Sequence, residues 1–503
     1  MTIQGPAELF ARRLGIDTYR EYVVFLRSES TVCRAEGLRA LSRVRVACGQ
    51  REIVASLNIV HGDLIGDRQA GLSESAWVAL GAAAGDTVSL SHPEAVESFS
   101  AVRRKIYGGR FTGAELDAIV RDLSAGHYSS VETAAFVTAC AGDRMSPAET
   151  LQLTRAMVDA GTRLAWHQRP VMDKHCVGGL PGNRTTPIVV AIAAAGGLTV
   201  PKTSSRAITS PAGTADAMEV LAPVTLTLEH MRRVVEREGG CVVWGGAIAL
   251  SPADDLLIQV ERPLDFDSDA QLAASVISKK VAAGSTHLVV DIPVGPTAKL
   301  RSHEAAARLA RTLTSLGGAF DLRVECLFTD GSQPVGFGIG PALEALDVLD
   351  VLHNAPTACA LLRARALQIA ARMLEIGGRC VAGEGPARAA HLLASGAAAR
   401  KFESICDAQG GRREPRRANY RKDIVATQAG AVQAIDNRRL GRVAKLAGAP
   451  ASPSAGLVLQ AQLGQAVVVG QPLYTIHAQS PGELEYAAAY ALRNPKILEI
   501  GSP

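Results

Sequence analysis

Residues 173–214 concentrate the side chains of this chain that could do chemistry. They run Asp173-Lys174-His175-Cys176-Val177-Gly178-Gly179-Leu180-Pro181-Gly182-Asn183-Arg184-Thr185-Thr186, then an apolar stretch to Gly197. Lys202-Thr203-Ser204-Ser205-Arg206 and Ser210-Pro211-Ala212-Gly213-Thr214 follow. Two glycine- and hydroxyl-rich segments, each with cations, therefore bracket one helix-length apolar segment, 186–197. Glycines let a backbone approach an anion closely, and free N–H groups at a helix start turn the positive end of its dipole toward it. Lysine, arginine and hydroxyls add charge-assisted and neutral hydrogen bonds. This is chemistry for a phosphate. It is not a P-loop, because Lys174 precedes the glycines, and Gly336-Phe337-Gly338-Ile339-Gly340 lacks the third glycine of a dinucleotide turn. Ordinary turn chemistry explains any one such loop; two of them with a Lys-His pair favour a ligand.

The elements that must hold these residues are read from composition and periodicity. A chain of 503 residues exceeds what one core supports, and three or four domains are expected. Hydrophobic residues make up 47% but aromatics only 4%, so the cores must be built from Ala, Val, Leu and Ile. A net charge of +4 gives no reason to expect nucleic acid, and the basic cluster Arg412, Arg413, Arg416, Arg417, Arg421, Lys422 reads as an exposed loop. Nine cysteines without a Cys-x-x-Cys pair argue against a disulfide framework or zinc site and for a reducing compartment. No apolar signal core opens the chain and no apolar run approaches a bilayer span, so a soluble, cytoplasmic protein is expected.

Residues 1–90 read as a small β-rich domain, with Val23-Val24-Phe25-Leu26, Val44-Arg45-Val46 and Thr87-Val88-Ser89-Leu90 as strands. Residues 91–167 read as a helical domain, joined by 256–284. Pro93 suits a first helical turn. Thr112–Glu115 and Ser146–Glu149 have capping-box spacing ahead of apolar residues at three- and four-residue intervals. Segments 168–255 and 285–424 alternate strand-like runs (198–200, 241–244, 288–292, 321–328) with helix-like ones (302–316, 341–352, 358–376). That pattern predicts an α/β domain with a largely parallel sheet and ligands beyond the carboxyl ends of its strands. Residues 425–503 hold short strands between glycine turns, a small α+β domain. The expected fold class is thus α/β: a helical domain and a large mixed α/β domain with a cleft between them, a β-rich N-terminal domain and an α+β C-terminal one.

These ordered motifs resemble the thymidine phosphorylase family, and within it the longer, AMP-phosphorylase-like branch with an extra N-terminal domain. Asp173-Lys-His-x-x-Gly-Gly179 is similar to the family's phosphate loop, and residues 203–216 to its second loop. Ala274-Ser275-Val-Ile-Ser-Lys-Lys280 resembles its base-site helix, and Asp291–Lys299 the strand and turn that follow. The resemblance spans about 95–500. It implies phosphorolysis of an N-glycosidic bond: a nucleoside or nucleoside 5′-monophosphate plus phosphate gives a free base and a pentose phosphate. Inorganic phosphate is the co-substrate, and no metal or organic cofactor is needed. The expected partners are small molecules and further copies of the chain, as a homodimer through the helical layer or a larger homo-oligomer; no nucleic acid polymer and no membrane is expected.

The resemblance also assigns roles. Lys174, Gly178, Gly179, Thr185, Ser204 and Thr214 bind phosphate; His175 lies near the base carbonyl or ribose; Ser275 and Lys279 contact the base. Gly179, Ser205, Arg206, Ala207, Ile208, Thr209, Ser210 and Thr214 line the substrate. Lys174, His175 and Asp267 are the catalytic candidates, Asp267 matching a carboxylate that protonates a leaving purine. Three positions depart from the thymidine enzymes. Cys176 replaces a serine that touches phosphate. Glu261-Arg262 sit one residue out of register with the base-binding arginine. Lys299 stands in a turn that is otherwise apolar, where the AMP-phosphorylase-like branch has a lysine suited to a 5′-phosphate. The lean is toward a nucleoside monophosphate, with a thymidine or pyrimidine nucleoside phosphorylase as the alternative. Two other classes remain. One is an anthranilate-type phosphoribosyltransferase, for which Asp254-Asp255 would hold magnesium, against a capping or surface role for that pair. The other is a non-catalytic nucleotide sensor.

Overall fold

A computed structural model describes residues 8–19, 21–35, 37–207, 210–248, 250–264 and 268–501. The chain divides into two compact units, Met1–Ala139 and Cys140–Pro503.

In the first unit, strands β1 (Leu9–Arg13), β2 (Val23–Arg27), β3 (Arg43–Cys48), β4 (Arg51–Val60), β5 (Gln69–Leu72) and β6 (Thr87–Ser91) close into a barrel, in the order β1-β5-β2-β4-β3-β6. The β1–β5 and β2–β4 pairs are parallel and the rest antiparallel. Alternate apolar residues such as Val24, Leu26, Val44, Val46, Leu57 and Val88 fill the interior. Two short helices, α1 (Thr31–Ala35) and α2 (Glu74–Leu80), belong to the barrel, and α3 (Phe99–Ile106), α4 (Gly113–Ser124) and α5 (Ser130–Cys140) follow. The helix expected to begin at Pro93 instead begins at Phe99, since 92–96 adopt no regular structure. The Thr112 capping box is present: Thr112 accepts from the Glu115 N–H and Glu115 reaches back to the Thr112 N–H.

The second unit opens with α6 (Pro147–Asp159), capped by the Ser146–Glu149 box. Its α/β part contains β7 (Met172–Cys176), α7 (Thr185–Ala195), β8 (Val200–Ser204), α8 (Thr214–Glu219), α9 (Leu228–Glu238), β9 (Gly240–Trp244), α10 (Pro252–Leu264), α11 (Asp269–Ala282), β10 (His287–Val294), α12 (His303–Gly318) and β11 (Arg323–Asp330). Strands β11-β10-β7 form one parallel sheet and β8-β9 a second; a single parallel bridge, Val171 to Thr199, joins them. Helix α6 packs on α11.

Helix α7 is buried on every side, as its sequence TTPIVVAIAAA requires. Its Pro187 sits in the first turn, where no N–H partner is lost. It packs with α14 and α16 of the next segment in the largest core of the molecule. That segment comprises β12 (Gly338–Ile339), α13 (Pro341–Leu352), α14 (Ala360–Ile376), α15 (Gly385–Ala394) and α16 (Ala397–Gln409).

The C-terminal part adds β13 (Tyr420–Val425), β14 (Gly430–Ile435), α17 (Asn437–Leu446), β15 (Gly456–Leu459), β16 (Ala466–Val467), β17 (Pro472–Ala478), α18 (Pro481–Arg493) and β18 (Leu498–Gly501). They form a β12-β15-β17-β13 sheet and a β16-β14-β18 sheet around their own core. The basic cluster is only partly the loop expected. Arg421 and Lys422 lie on β13, an edge strand hydrogen-bonded to β17, because its exposed charged side chains suit a sheet edge. Among the described residues no helix is long and apolar enough to cross a membrane.

Candidate active site

Strand alternation sorts the candidate residues. In the β7–β10 register Asp173 and His175 pair with Leu288 and Val290, whereas Lys174 and Cys176 pair with Val289 and Asp291. Leu288 and Val290 belong to the core under α11 and α12, and Val289 to the core around α7. Strand β7 thus sends Lys174 toward the helix that follows the glycine loop and His175 toward the opposite face.

Lys174 lies at the start of α7. Its Nζ donates to Thr185 Oγ1 at 2.7 Å and to Thr186 Oγ1 at 3.3 Å. It is 1% exposed, and burial lowers its pKa. Four neighbouring cations are ion-paired: Arg184 with Glu344, Lys279 with Asp254, and Lys202 and Lys280 with Asp173. Lys174 alone among them has no carboxylate within ion-pair distance in the described residues. An unpaired buried ammonium is costly, and an anion at the α7 N-terminus would complete it.

The loop from 177 to 184 is shaped around that point. Gly179 has φ +79, and a Cβ there would lie 2.6 Å from the backbone N of Lys299. Gly182 has φ +67, and its Cβ would meet the backbone of Gly336 and Gly338 at 3.1 Å. Asn183 Nδ2 donates to Asp291 Oδ2 (3.1 Å) and contacts Cys176 Sγ (3.2 Å), while Thr329 donates to the other Asp291 oxygen at 2.6 Å. Thr185 donates to Asn183 Oδ1 at 3.3 Å. Burial, reinforced by the Asp291 carboxylate, pushes the Cys176 thiol up to about 12, so at neutral pH it is a neutral, weakly polar group.

The second loop is tied to the first by Arg184, whose Nε donates to Glu344 at 2.7 Å, Nη1 to Thr214 Oγ1 at 2.6 Å and Nη2 to the Ala212 carbonyl at 3.0 Å. Thr214, expected to bind phosphate, opens α8 with its hydroxyl oxygen already accepting from this guanidinium, which leaves its O–H free to donate. Ser204 ends β8, and its buried Oγ has no hydrogen-bond partner among the described residues. Ser205 is exposed just beyond it. Arg206 is held by Asp216 (3.2 Å) and Glu219 (2.6 Å), its guanidinium 4.9 Å from the Trp244 ring centroid. The Ala207 N–H donates to Asp216 and the Ser210 hydroxyl to the Ala212 carbonyl. Ile208, Thr209 and Asp267 lie outside the described residues, as does the side chain of Arg262.

On the other face, α11 carries Ser275 and Lys279 one turn apart, with Lys279 Nζ donating to Ser275 Oγ (2.9 Å) and Asp254 Oδ2 (2.7 Å). Asp254 lies in the first turn of α10, as a capping role requires, but it is 2% exposed, so the surface role expected as the alternative gives way to a half-buried ion pair with Lys279. His175 is half-buried, and among the described residues neither ring nitrogen has a hydrogen-bond partner. Burial, then Lys280, Lys202, Lys279 and Lys174, hold its pKa well below the ordinary value. Lys299 is half-buried in the turn after β10, directly over Gly179.

The structure thus gathers Lys174, Thr185, Gly179 and Lys299 around one loop, with Ser204 and Thr214 at the next strand end and Ser275, Lys279 and His175 on the far face. All lie at the carboxyl ends of parallel strands or on helices beside them, where ligands of open α/β sheets bind. Sequence reasoning left Glu344 unnoticed and gave no individual role to Thr186, Asn183, Arg184 and Asp291, although it quoted all four within its motifs. Arg184 and Thr186 carried a local signal, as a cation and the second hydroxyl at the helix start.

The chain matches the glycosyl transferase family over more than half its length. Residues 100–161 match the model of the glycosyl transferase family helical bundle domain, 168–399 that family's a/b domain, and 431–497 the pyrimidine nucleoside phosphorylase C-terminal domain. The fold is also that of anthranilate phosphoribosyltransferase from Thermus thermophilus (TM-score 0.51, 23% identity, over 61% of this chain and 99% of that one). Full-length relatives go further. A Polaromonas sp. protein named "Putative thymidine phosphorylase" is 58% identical over 98% of this chain and 97% of its own length. An Acidovorax sp. protein named "Putative thymidine phosphorylase 2" is 56% identical over 99% and 97%. The chain belongs to the thymidine phosphorylase family.

Proposed function

We propose that the protein cleaves the N-glycosidic bond of a nucleoside 5′-monophosphate by phosphorolysis, releasing the free base and ribose 1,5-bisphosphate. The buried, carboxylate-free ammonium of Lys174 at the start of α7 carries this reading. Inorganic phosphate supplies the missing anion, with hydroxyls of Thr185, Thr186, Ser204 and Thr214 and the backbone at Gly178 and Gly179 as further donors. A phosphate oxygen attacks C1′ and the C1′–N bond breaks. Its electron pair passes to the base, which takes up a proton. The sugar is oxocarbenium-like at the crest of the reaction, and water must be kept from C1′ because it competes with phosphate. Ser275 and Lys279 orient the base, and neutral His175 hydrogen-bonds its carbonyl or the ribose. Asp267 is the proton donor in this scheme.

Lys299 supports the nucleotide over the nucleoside, since its backbone lies against Gly179 and its turn borders the same loop. A second reading, phosphorolysis of thymidine or another pyrimidine nucleoside, draws its support from the names of the relatives. The test is release of base from AMP, CMP, UMP, thymidine and uridine, each with and without phosphate. Phosphate-dependent cleavage of a monophosphate but not its nucleoside is expected, and Lys299→Ala should raise the nucleotide KM by roughly 10- to 100-fold, the worth of one charged contact. Cleavage of thymidine or uridine alone, with Lys299→Ala unchanged, selects the second reading. No phosphate-dependent cleavage of any of the five overturns both.

A further inference from the structure

One buried cluster has no part in the scheme above. Asp173, fully buried on β7, forms ion pairs with Lys280 Nζ of α11 (2.9 Å) and Lys202 Nζ of β8 (3.5 Å). Lys202 also donates to the Thr203 carbonyl. Both lysines are themselves buried, at 5% exposure for Lys202 and 3% for Lys280. Their position relative to the sheet is unusual. Strands β7 and β8 share one bridge, Val171 to Thr199, and no ladder beyond it. Past that point Lys202 and Asp173 connect β7 to β8, and Lys280 connects β7 to the helix of Ser275 and Lys279. Three elements that end in the candidate site therefore meet on one carboxylate. Two lysines share it; burial and the neighbouring Lys202 lower the Lys280 pKa to about 7, so the cluster gains positive charge as pH falls through that value.

His175 is two residues along β7 from Asp173, on the same side of the strand. The charged groups about it are Asp173 and Lys174 on its own strand, Lys202 from β8, Lys279 and Lys280 from α11, and Asp254 of α10, which is bonded to Lys279. We propose that Lys202 is a positioning residue: with Lys280 it grips Asp173, locks β8 and α11 to β7 where the ladder is broken, and keeps His175 an uncharged hydrogen-bonding group. A neutral imidazole has one donor and one acceptor nitrogen. It leaves the phosphate charge to Lys174 and suits a polar, uncharged part of the substrate. Burial and the same lysines depress the His175 pKa, which agrees with this arrangement. The inference deepens the phosphorylase reading and rests on it for the meaning of His175, so its test has a readout independent of turnover.

That readout is the titration of the imidazoles, followed by NMR in histidine-labelled full-length protein, with His175→Gln assigning the signal. In the wild type the His175 midpoint should lie well below the ordinary ~6.5. Lys202→Met should raise its midpoint by about one unit or more, the effect of removing a nearby charge. The ratio of variant to wild-type kcat/KM should then fall on the acid side, and this fall should vanish when both proteins carry His175→Gln. The ratio also cancels the titration of phosphate itself. A wild-type midpoint at or above ~6.5 would overturn the proposal. So would an unchanged midpoint in Lys202→Met, or a pH-independent loss of its activity. If Lys202→Met does not fold, Lys280→Met and the wild-type titration decide on the same criteria. Normal titration behaviour with no phosphorolysis would separate failure of the functional reading from failure of this one.

Discussion

Arg184 shows how much a single side chain can organise. Its guanidinium joins the glycine loop to Thr214 and Ala212 of the second loop, and Glu344 of α13 neutralises it. Nearby, Asp347 accepts from the Gly338 N–H at 2.7 Å, and burial pushes its carboxyl up to about 7, the proximity of Glu344 adding to the shift. A carboxyl raised above its unfolded value of ~3.9 favours the fold most where it is protonated in both states, and that stability is lost as pH rises through the folded value. Asp347→Asn, neutral at every pH and still able to accept from Gly338, should therefore gain on the wild type as pH rises from about 4 to 8, by on the order of 1–3 kcal/mol. Urea unfolding at several pH values checks this; a gap that stays constant with pH would contradict it. Little of this wiring was legible in the sequence. The Asn183–Asp291 and Arg184–Glu344 pairs are separated by 108 and 160 residues, and no local spacing announces them. Lys174 was legible because its partners sit one loop away.

Among the elements, β7 defied periodicity. Met-Asp-Lys-His-Cys has no apolar alternation and reads as part of a loop, yet the strand is central between β10 and the β8 side and largely buried. Buried charges replaced the usual apolar signal. Lys202-Thr203-Ser204 on β8 misled for the same reason. Elements with ordinary cores were transparent: α13 spans the expected 341–352, and β10 and α12 fall within two residues of the expected limits. The helix over 269–282 contains the stretch 274–280 whose resemblance to the family's base-site helix marks it as one. The glycine loop after β7 gives the sharpest test at this scale. Gly179→Ala demands a left-handed backbone and puts a methyl into the Lys299 main chain. It should cost about 1–3 kcal/mol in stability and abolish phosphate-dependent turnover, whereas Gly178→Ala, with open space at its Cβ, should bear only the backbone term. Thermal melts and base-release assays of the two variants should differ accordingly; equal effects would show that the Lys299 contact is unimportant.

At the scale of the molecule, the β-rich start was expected but closure into a barrel was not, since strand propensity does not reveal which ends meet. Six strands with a common core of residues from Leu9 to Leu90 need no others to complete their ladders. A fragment of residues 1–92 should consequently fold alone, with dispersed amide NMR signals and cooperative unfolding; a collapsed spectrum would show that the core is insufficient. The cysteines extend across both units. All nine are free thiols, and burial raises the pKa of eight of them: Cys33, Cys48, Cys176, Cys241, Cys326, Cys359, Cys380 and Cys406. Peroxides and alkylating agents attack the thiolate, not the thiol. At these eight positions burial disfavours the thiolate, and Cys176, beside the glycine loop, is in consequence a small neutral wall rather than a nucleophile.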